Sequence, residues 1–142
     1  MRNLCALLFL LALPVAAEKK VIVPPEMAGS TAPYSPAILV DGTLYCSGQV
    51  GQDLKTNQIP ADFETEVKTL LAKIGLVLKA AGMTYKDVVS VQVYLTDMDL
   101  FARMNAVYTS VFAEPRPTRT TVGVTRLALP AAHIEITVTA RK

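Results

Sequence analysis

The sequence lacks tryptophan and holds one histidine, His133, and two cysteines among 142 residues. Metal sites in proteins usually draw on clusters of histidine, cysteine or acidic residues, and His133 has no such cluster near it in the chain. We therefore expect no metal site and interpret His133 as a surface residue. Cys46 lies in a strand-like run without a histidine partner, so we interpret it as a small core residue rather than a nucleophile.

A strong charge of one sign is also missing. Lysine and arginine number 14 against 12 aspartates and glutamates, and removing residues 1–17 would take away only Arg2, leaving 13 against 12. Nucleic-acid-binding domains usually carry a basic patch or stripe. The chain is therefore not expected to have a nucleic-acid partner.

Long apolar runs are absent except at the N-terminus. Arg2 is followed by an almost wholly apolar stretch at 4–14 and by three small residues at 15–17. The stretch is shorter than the ~20 residues that a membrane-spanning helix needs. This pattern predicts a cleaved signal peptide at 1–17, a mature domain at 18–142, a periplasmic or secreted location and no membrane association after cleavage. The alternative is an uncleaved membrane anchor. Cleavage would remove Cys5 and leave Cys46 without a partner for an intrachain disulfide.

The remaining sequence alternates between strand-like and helix-like segments. A short edge strand is expected at 21–23, and Asp41–Gly42 predicts a hairpin turn between strands at 34–40 and 43–48. Residues 48–61 are interpreted as a polar loop. Apolar residues at helical spacing predict helices at 62–81, with Asp62 as the N-cap and Gly82 after the last turn, and at 100–112. A buried strand is expected at 88–95.

Two C-terminal strands carry an arginine and a glutamate among apolar residues. Alternation puts Val122 and Val124 on the face expected to be core, and Arg119 and Thr121 on the other. In the last strand Ile134, Ile136 and Val138 are expected to face the core, whereas Glu135 points away. Arginine binds carboxylates well and glutamate can activate a water, so the pair indicates a site that adds water to a small organic acid.

This order of elements predicts an α+β fold with one mixed sheet and both helices on one face. The other face would be bare yet not strongly polar, and such faces are usually buried in an oligomer.

The chain resembles the Rid (YjgF) family of reactive-intermediate deaminases. The resemblance covers 20–142 and is carried by five segments: Ala32-Pro-Tyr-Ser-Pro-Ala, Ser47-Gly-Gln, Tyr94-Leu-Thr-Asp-Met, Phe101-Ala-Arg-Met-Asn-Ala-Val-Tyr, and Pro117-Thr-Arg-Thr-Thr-Val-Gly-Val with Ile134-Glu-Ile. It implies a single-domain chorismate-mutase-like fold and a homotrimer with a cleft at each subunit interface. It also implies hydrolysis of 2-imino acids, such as 2-iminobutanoate and 2-iminopropanoate, to 2-oxo acids and ammonia, without metal or organic cofactor.

The resemblance also implies roles for individual residues. Arg119 matches the arginine that binds the substrate carboxylate, and Glu135 matches the glutamate that orients the attacking water. Tyr34 matches a tyrosine that closes over the ligand. Thr121 stands where the family often has cysteine, and its backbone carbonyl would accept from the imine nitrogen. Three more positions match residues near the pocket: Ser47, Gly48 and Asn105. The linker before Glu135 is one residue longer than the family pattern.

Spacing adds a constraint on the two charged residues. If the last two strands formed a simple hairpin, Arg119 and Glu135 would lie about 16–17 Å apart along the strands, too far to share a small substrate. We therefore expect either that these strands are not neighbours or that the two side chains meet across subunits. A trimeric, non-catalytic binder of small 2-oxo acids or other carboxylates is the alternative function, and RNA cleavage is disfavoured by the charge balance.

Overall fold

The computed structural model describes residues 18–142. The predicted signal peptide at 1–17 lies outside them, so cleavage and export stay predictions. Across the described range, no helix has the length and apolar character that crossing a bilayer requires.

Seven strands form one mixed sheet, in the order β1-β2-β3-β7-β5-β6, with β4 paired to β7. The elements, in chain order, are β1 (Lys20–Ile22), β2 (Ala37–Val40), β3 (Thr43–Cys46), β4 (Gln49–Val50), α1 (Phe63–Ala80), β5 (Val88–Leu95), α2 (Phe101–Val111), β6 (Thr118–Gly123) and β7 (Ile134–Arg141). β5 and β6 are parallel, whereas β7 runs antiparallel to β3, β4 and β5. The α+β prediction, with one mixed sheet and two long helices, is confirmed.

Local sequence explains the ends of α1 and the β2–β3 hairpin. Asp62 caps α1 by accepting from the backbone N–H of Thr65 at 2.8 Å. Gly82, with φ of 71°, follows the last turn in the left-handed conformation that glycine tolerates. Asp41 and Gly42 both have positive φ, as a two-residue hairpin turn requires. These three predictions are confirmed.

The core lies between the helices and one face of the sheet, here called the helix-covered face. From β7 it takes Ile134, Ile136 and Val138, all 1% exposed or less, and from β5 it takes Val91, Val93 and Leu95. Glu135 lies on the opposite, open face, as alternation predicts. Tyr45, Val89 and Val122 are exposed large apolar residues outside the core.

Two predictions about the core are wrong. Val122 is 41% exposed, because it shares a cross-strand row with Tyr94 and Glu135 on the open face. Arg119 and Thr121 instead share rows with the buried Val91 and Val93. β6 is an edge strand, so its helix-covered positions border a cavity and tolerate polar side chains. Phe101 is also exposed, although its helical spacing with Met104, Val107, Tyr108 and Val111 predicts a buried stripe that includes it.

The segment predicted as a polar loop contains the short strand β4. Gln49 and Val50 pair with Ile136 and Glu135 of β7. A two-residue strand is too short to leave a periodic signal in the sequence. It matters for the site because it places the Ser47–Gly48 segment beside Glu135.

Candidate functional site

Six of the seven residues implied by the resemblance line two separate cavities. The first, the basic cavity, has a volume of about 390 Å³ and is lined by Asn105, Tyr108, Thr109, Arg116, Pro117 and Arg119. The second, the acidic cavity, has a volume of about 450 Å³ and is lined by Tyr34, Ser47, Gly48, Val50, Gln52, Ala128, Leu129 and Glu135. Both volumes fall within the range typical of small-molecule sites.

Arg119 is held in the basic cavity by aromatic rings rather than by a carboxylate. Its guanidinium carbon lies 4.6 Å from the ring centroid of Tyr108 and 5.7 Å from that of Phe101. Its Nη1 lies 4.0 Å from the sulfur of Met104. None of the ion pairs among residues 18–142 involves Arg119. The guanidinium is therefore oriented, partly desolvated and free to bind an anion.

Thr121 lies two residues beyond Arg119 on the edge strand. The N–H of Val124, just after β6, donates to the carbonyl of Leu95 at 2.8 Å. Because successive residues of a strand aim their backbone groups to alternate sides, the N–H and C=O of Thr121 point to the open edge of the sheet. The carbonyl can thus accept a hydrogen bond from a ligand, although the hydroxyl of Thr121 is buried and has no partner in the described chain.

Glu135 lines the acidic cavity and packs against Gly48. A Cβ at position 48 would overlap its carboxylate oxygen Oε1. No hydrogen bond or ion pair in 18–142 engages this carboxylate. The group is therefore free to accept a proton or to hold a water.

Ser47 and Tyr34 form the rim of the acidic cavity. The Ser47 hydroxyl donates to the carbonyl of Ser35 at 2.7 Å, and its backbone N–H donates to the carbonyl of Pro36 at 3.0 Å. Ser47 thus fixes the segment that carries Tyr34, whose side chain is largely exposed. Its hydroxyl proton is engaged inside the protein, which leaves Ser47 as an acceptor toward a ligand.

Arg119 and Glu135 do not meet within one chain. β5 separates β6 from β7, so the two strands are not hairpin neighbours. Arg119 pairs with Val91 of β5, and Val91 pairs with Val138 of β7. Glu135 is three residues from Val138 along β7 and two strands from Arg119, so strand geometry puts the Cα atoms of Arg119 and Glu135 about 14 Å apart. The side chains also lie on opposite faces of the sheet. The basic and acidic cavities are thus separate cavities of one chain.

Buried charged residues of α1 support the acidic cavity from behind, and the sequence analysis missed them. The fully buried carboxylate of Glu66 accepts the backbone N–H of His133 and contacts its Nδ1, both at 2.8 Å. Lys73 donates to the carbonyl of Val50 at 3.0 Å, and burial lowers the pKa of its ammonium group. One contact fixes the residue before β7, the strand that carries Glu135, and the other fixes β4, which pairs with Glu135. His133 is half-exposed as expected, but it has an acidic partner far away in sequence.

Cys46 has the predicted role. It is 6% exposed, and burial raises the pKa of its thiol to about 12, so it stays protonated and packs as an apolar group. Among the described residues, no cluster of histidine, cysteine and acidic side chains could hold a metal ion.

The basic cavity contains two residues that the sequence analysis did not single out, Tyr108 and Arg116. Tyr108 fits a helical core stripe, and its buried ring stacks on Phe112 with centroids 4.4 Å apart. Arg116 lies between two prolines in a segment that reads as a connection. Neither carries a local signal that separates it from packing or surface residues.

The sequence and the fold are both similar to those of known proteins. A family model described as "Endoribonuclease L-PSP" matches residues 26–142. A "RutC family protein" of Sulfurisphaera tokodaii is 42% identical over 111 residues, 78% of this chain and 88% of the relative. The "2-iminobutanoate/2-iminopropanoate deaminase" of Mus musculus is 38% identical over 120 residues, 83% of this chain and 87% of the relative. The crystal structure of "E. coli TdcF with bound serine" superposes with a TM-score of 0.80 at 30% identity and covers 87% of this chain and 98% of its own. The chain therefore belongs to the Rid (YjgF) family, the family of that L-PSP model.

Proposed function

We propose that this protein hydrolyses 2-imino acids to 2-oxo acids and ammonia, in sites that form between copies of a homotrimer. The observation that carries the proposal is the separation of an unpaired guanidinium, Arg119, from an unpaired carboxylate, Glu135, each in its own open half-site. A neighbouring copy that seats its basic cavity against the acidic cavity would bring the two together. The exposed apolar residues of the open face, Tyr45, Val89 and Val122, suit such an interface.

Named relatives support the choice of substrate. A mammalian relative carries the name of an iminobutanoate and iminopropanoate deaminase, and the solved TdcF structure holds serine, a small molecule with a carboxylate. RNA cleavage, which the family description names, fits this chain less well, because its net charge is +2 and it has no basic stripe.

The reaction makes modest chemical demands. A protonated imine and one water give a carbonyl and an ammonium ion, so no electrons are transferred. Arg119 would bind the substrate carboxylate through two parallel hydrogen bonds, which lysine cannot copy. The carbonyl of Thr121 would accept from the iminium nitrogen and favour its protonated form. Glu135 of the adjacent copy would take a proton from the attacking water.

The test is a coupled assay on the mature protein, in which an amino-acid oxidase generates the imine and 2-oxo acid formation is compared with the uncatalysed rate. We expect Glu135→Gln to lower kcat about 100-fold or more while 2-oxo acid binding persists, because the general base is lost. Arg119→Ala and Arg119→Lys should both weaken substrate binding. Arg141→Ala, an exposed arginine outside both cavities, is the matched control and should behave like the wild type.

Two results would contradict the proposal. A protein that binds 2-oxo acids but gives no rate above background is a carboxylate binder rather than a deaminase. Full activity in Glu135→Gln would remove the assigned role of Glu135.

A further inference from the structure

The basic cavity holds a second guanidinium that the proposed reaction on a monocarboxylic imine does not use. Arg116 lies three residues before Arg119 and lines the same cavity of about 390 Å³. Pro117 follows it and restricts Arg116 to an extended backbone. The three residues from Arg116 to Arg119 span about 10 Å when extended. Because both long side chains line the same cavity, their guanidinium groups can bind two anionic groups of one ligand that lie a few ångströms apart.

Both guanidinium groups lie close enough to Tyr108 to influence its hydroxyl electrostatically. Its ring is 2% exposed, and its hydroxyl has no hydrogen-bond partner within residues 18–142. Burial raises the pKa of Tyr108, and the positive charges of Arg119 and Arg116 oppose that rise. The two cations therefore create a common positive potential beside the phenol.

The internal partner of Arg116 is weakly held. Glu114 pairs with its guanidinium from only two residues away, and the two side chains are 70% and 42% exposed respectively. Exposed ion pairs contribute little to stability, since water and salt screen them. An anionic group of a ligand can therefore replace Glu114 at Arg116 with little loss.

We propose that Arg116 is a specificity-determining residue that binds a second carboxylate, so that the site prefers 2-imino dicarboxylic acids and their 2-oxo products over monocarboxylic ones. Arg119 holds the carboxylate next to the imine carbon, and Arg116 holds the distal one. This inference rests on the proposed function for its reaction, but the preference for two carboxylates is a property of binding and can be measured separately.

The primary experiment measures the binding of two stable ligands to the full chain by calorimetry. 2-Oxoglutarate and 2-oxopentanoate have the same number of carbons and differ in the distal carboxylate. The wild type should bind 2-oxoglutarate more tightly. Arg116→Ala should reduce the ratio of the two affinities about tenfold, because one charge-assisted pair is lost, with the greater loss in 2-oxoglutarate binding. Arg116→Lys should retain part of the preference.

Glu114→Gln is the matched variant with the opposite expectation. It removes the carboxylate that competes for Arg116, so the ratio should rise. A ratio that is unchanged in both Arg116→Ala and Glu114→Gln, or a wild type that binds the two ligands equally, overturns the inference.

The coupled assay separates this inference from the proposed function. Imines made by oxidases from glutamate and from norvaline should show the same ordering in kcat/KM, and Arg116→Ala should reduce the ratio of the two kcat/KM values as it reduces the ratio of the two affinities. Absence of turnover on either imine, together with an intact Arg116-dependent binding ratio, would contradict the deaminase and support the dicarboxylate site.

Discussion

Arg103 and Arg119 have different roles because their side chains have different neighbours. Arg103 is bound by the carboxylate of Glu64 through two hydrogen bonds, at 2.6 and 2.5 Å, and it links α2 to α1. Arg119 stacks on Tyr108 and Phe101 and has no carboxylate in the described chain. Arg103 is thus satisfied within the fold, whereas Arg119 retains its capacity to bind an anion.

Gly48 controls the position of the Glu135 carboxylate. We expect Gly48→Ala to lower kcat about tenfold or more, because the new Cβ would displace Oε1 and small displacements of a catalytic group are costly. Thermal stability should change little, since the side chain of Glu135 can move into the open cavity. Gly82→Ala is the control: its φ of 71° predicts a loss of about 1 kcal/mol in stability with unchanged kcat. Wild-type kcat in Gly48→Ala, measured in the coupled assay, would remove this constraint on Glu135.

At the scale of elements, α1 supports the acidic cavity although none of its residues lines it. Glu66 holds the residue before β7, and Lys73 holds β4. A Cβ at Gly51 would collide with Glu66, so the chain after β4 packs tightly on the helix. Glu135 is part of β7 and pairs with Val50 of β4, so the two fixed strands give its free carboxylate a rigid base.

The link between α1 and α2 predicts an acid-sensitive stability. Hydrogen bonds from Arg103 lower the pKa of Glu64 from 4.5 to about 2. A carboxylate whose pKa is lower in the folded state stabilises that state above about pH 4.5 and loses this contribution as pH falls towards 2. Melting temperatures of wild type and Glu64→Gln should therefore differ most near neutral pH and converge towards pH 2. Because both side chains are partly exposed, the difference should be small and should shrink in high salt. A difference that is constant from pH 6 to pH 2 would contradict this assignment.

At the scale of the whole molecule, we expect function to depend on assembly into the proposed trimer. One copy presents the basic cavity between α2 and the edge strand β6, and the acidic cavity elsewhere on its surface. The edge strand offers unpaired backbone groups at Thr121, and the open face offers apolar side chains. Both features favour docking of a second copy.

Mixing two inactive variants tests this dependence. In a site shared by two copies, Arg119→Ala and Glu135→Gln damage different partners, so some interfaces of a mixed trimer contain both intact residues. Co-refolding equal amounts should restore about one quarter of wild-type activity by random assembly into cyclic trimers. Each variant refolded alone is the control and should stay inactive. No restoration in trimers verified to be mixed would place both residues in one subunit's site.

The sequence by itself determined the elements and the direction of most side chains. Periodicity located α1, α2, β5 and β7, because apolar residues recur at the spacing of a helix or strand. Asp62, Gly82 and Asp41–Gly42 fixed turns and helix ends through local backbone chemistry. The motifs also identified the family, and all six residues that the resemblance implies besides Thr121 line one of the two cavities.

Only the tertiary structure decided how those side chains are grouped. The insertion of β5 between β6 and β7 separates Arg119 from Glu135, and strand order is a long-range property that local patterns do not encode. The same holds for the face of β6: its position at the sheet edge exposes Val122 and turns Arg119 towards α2. Glu66 and His133 are 67 residues apart in sequence, so their contact follows from packing alone. The sequence supplied the chemical groups, and the fold distributed them over two cavities.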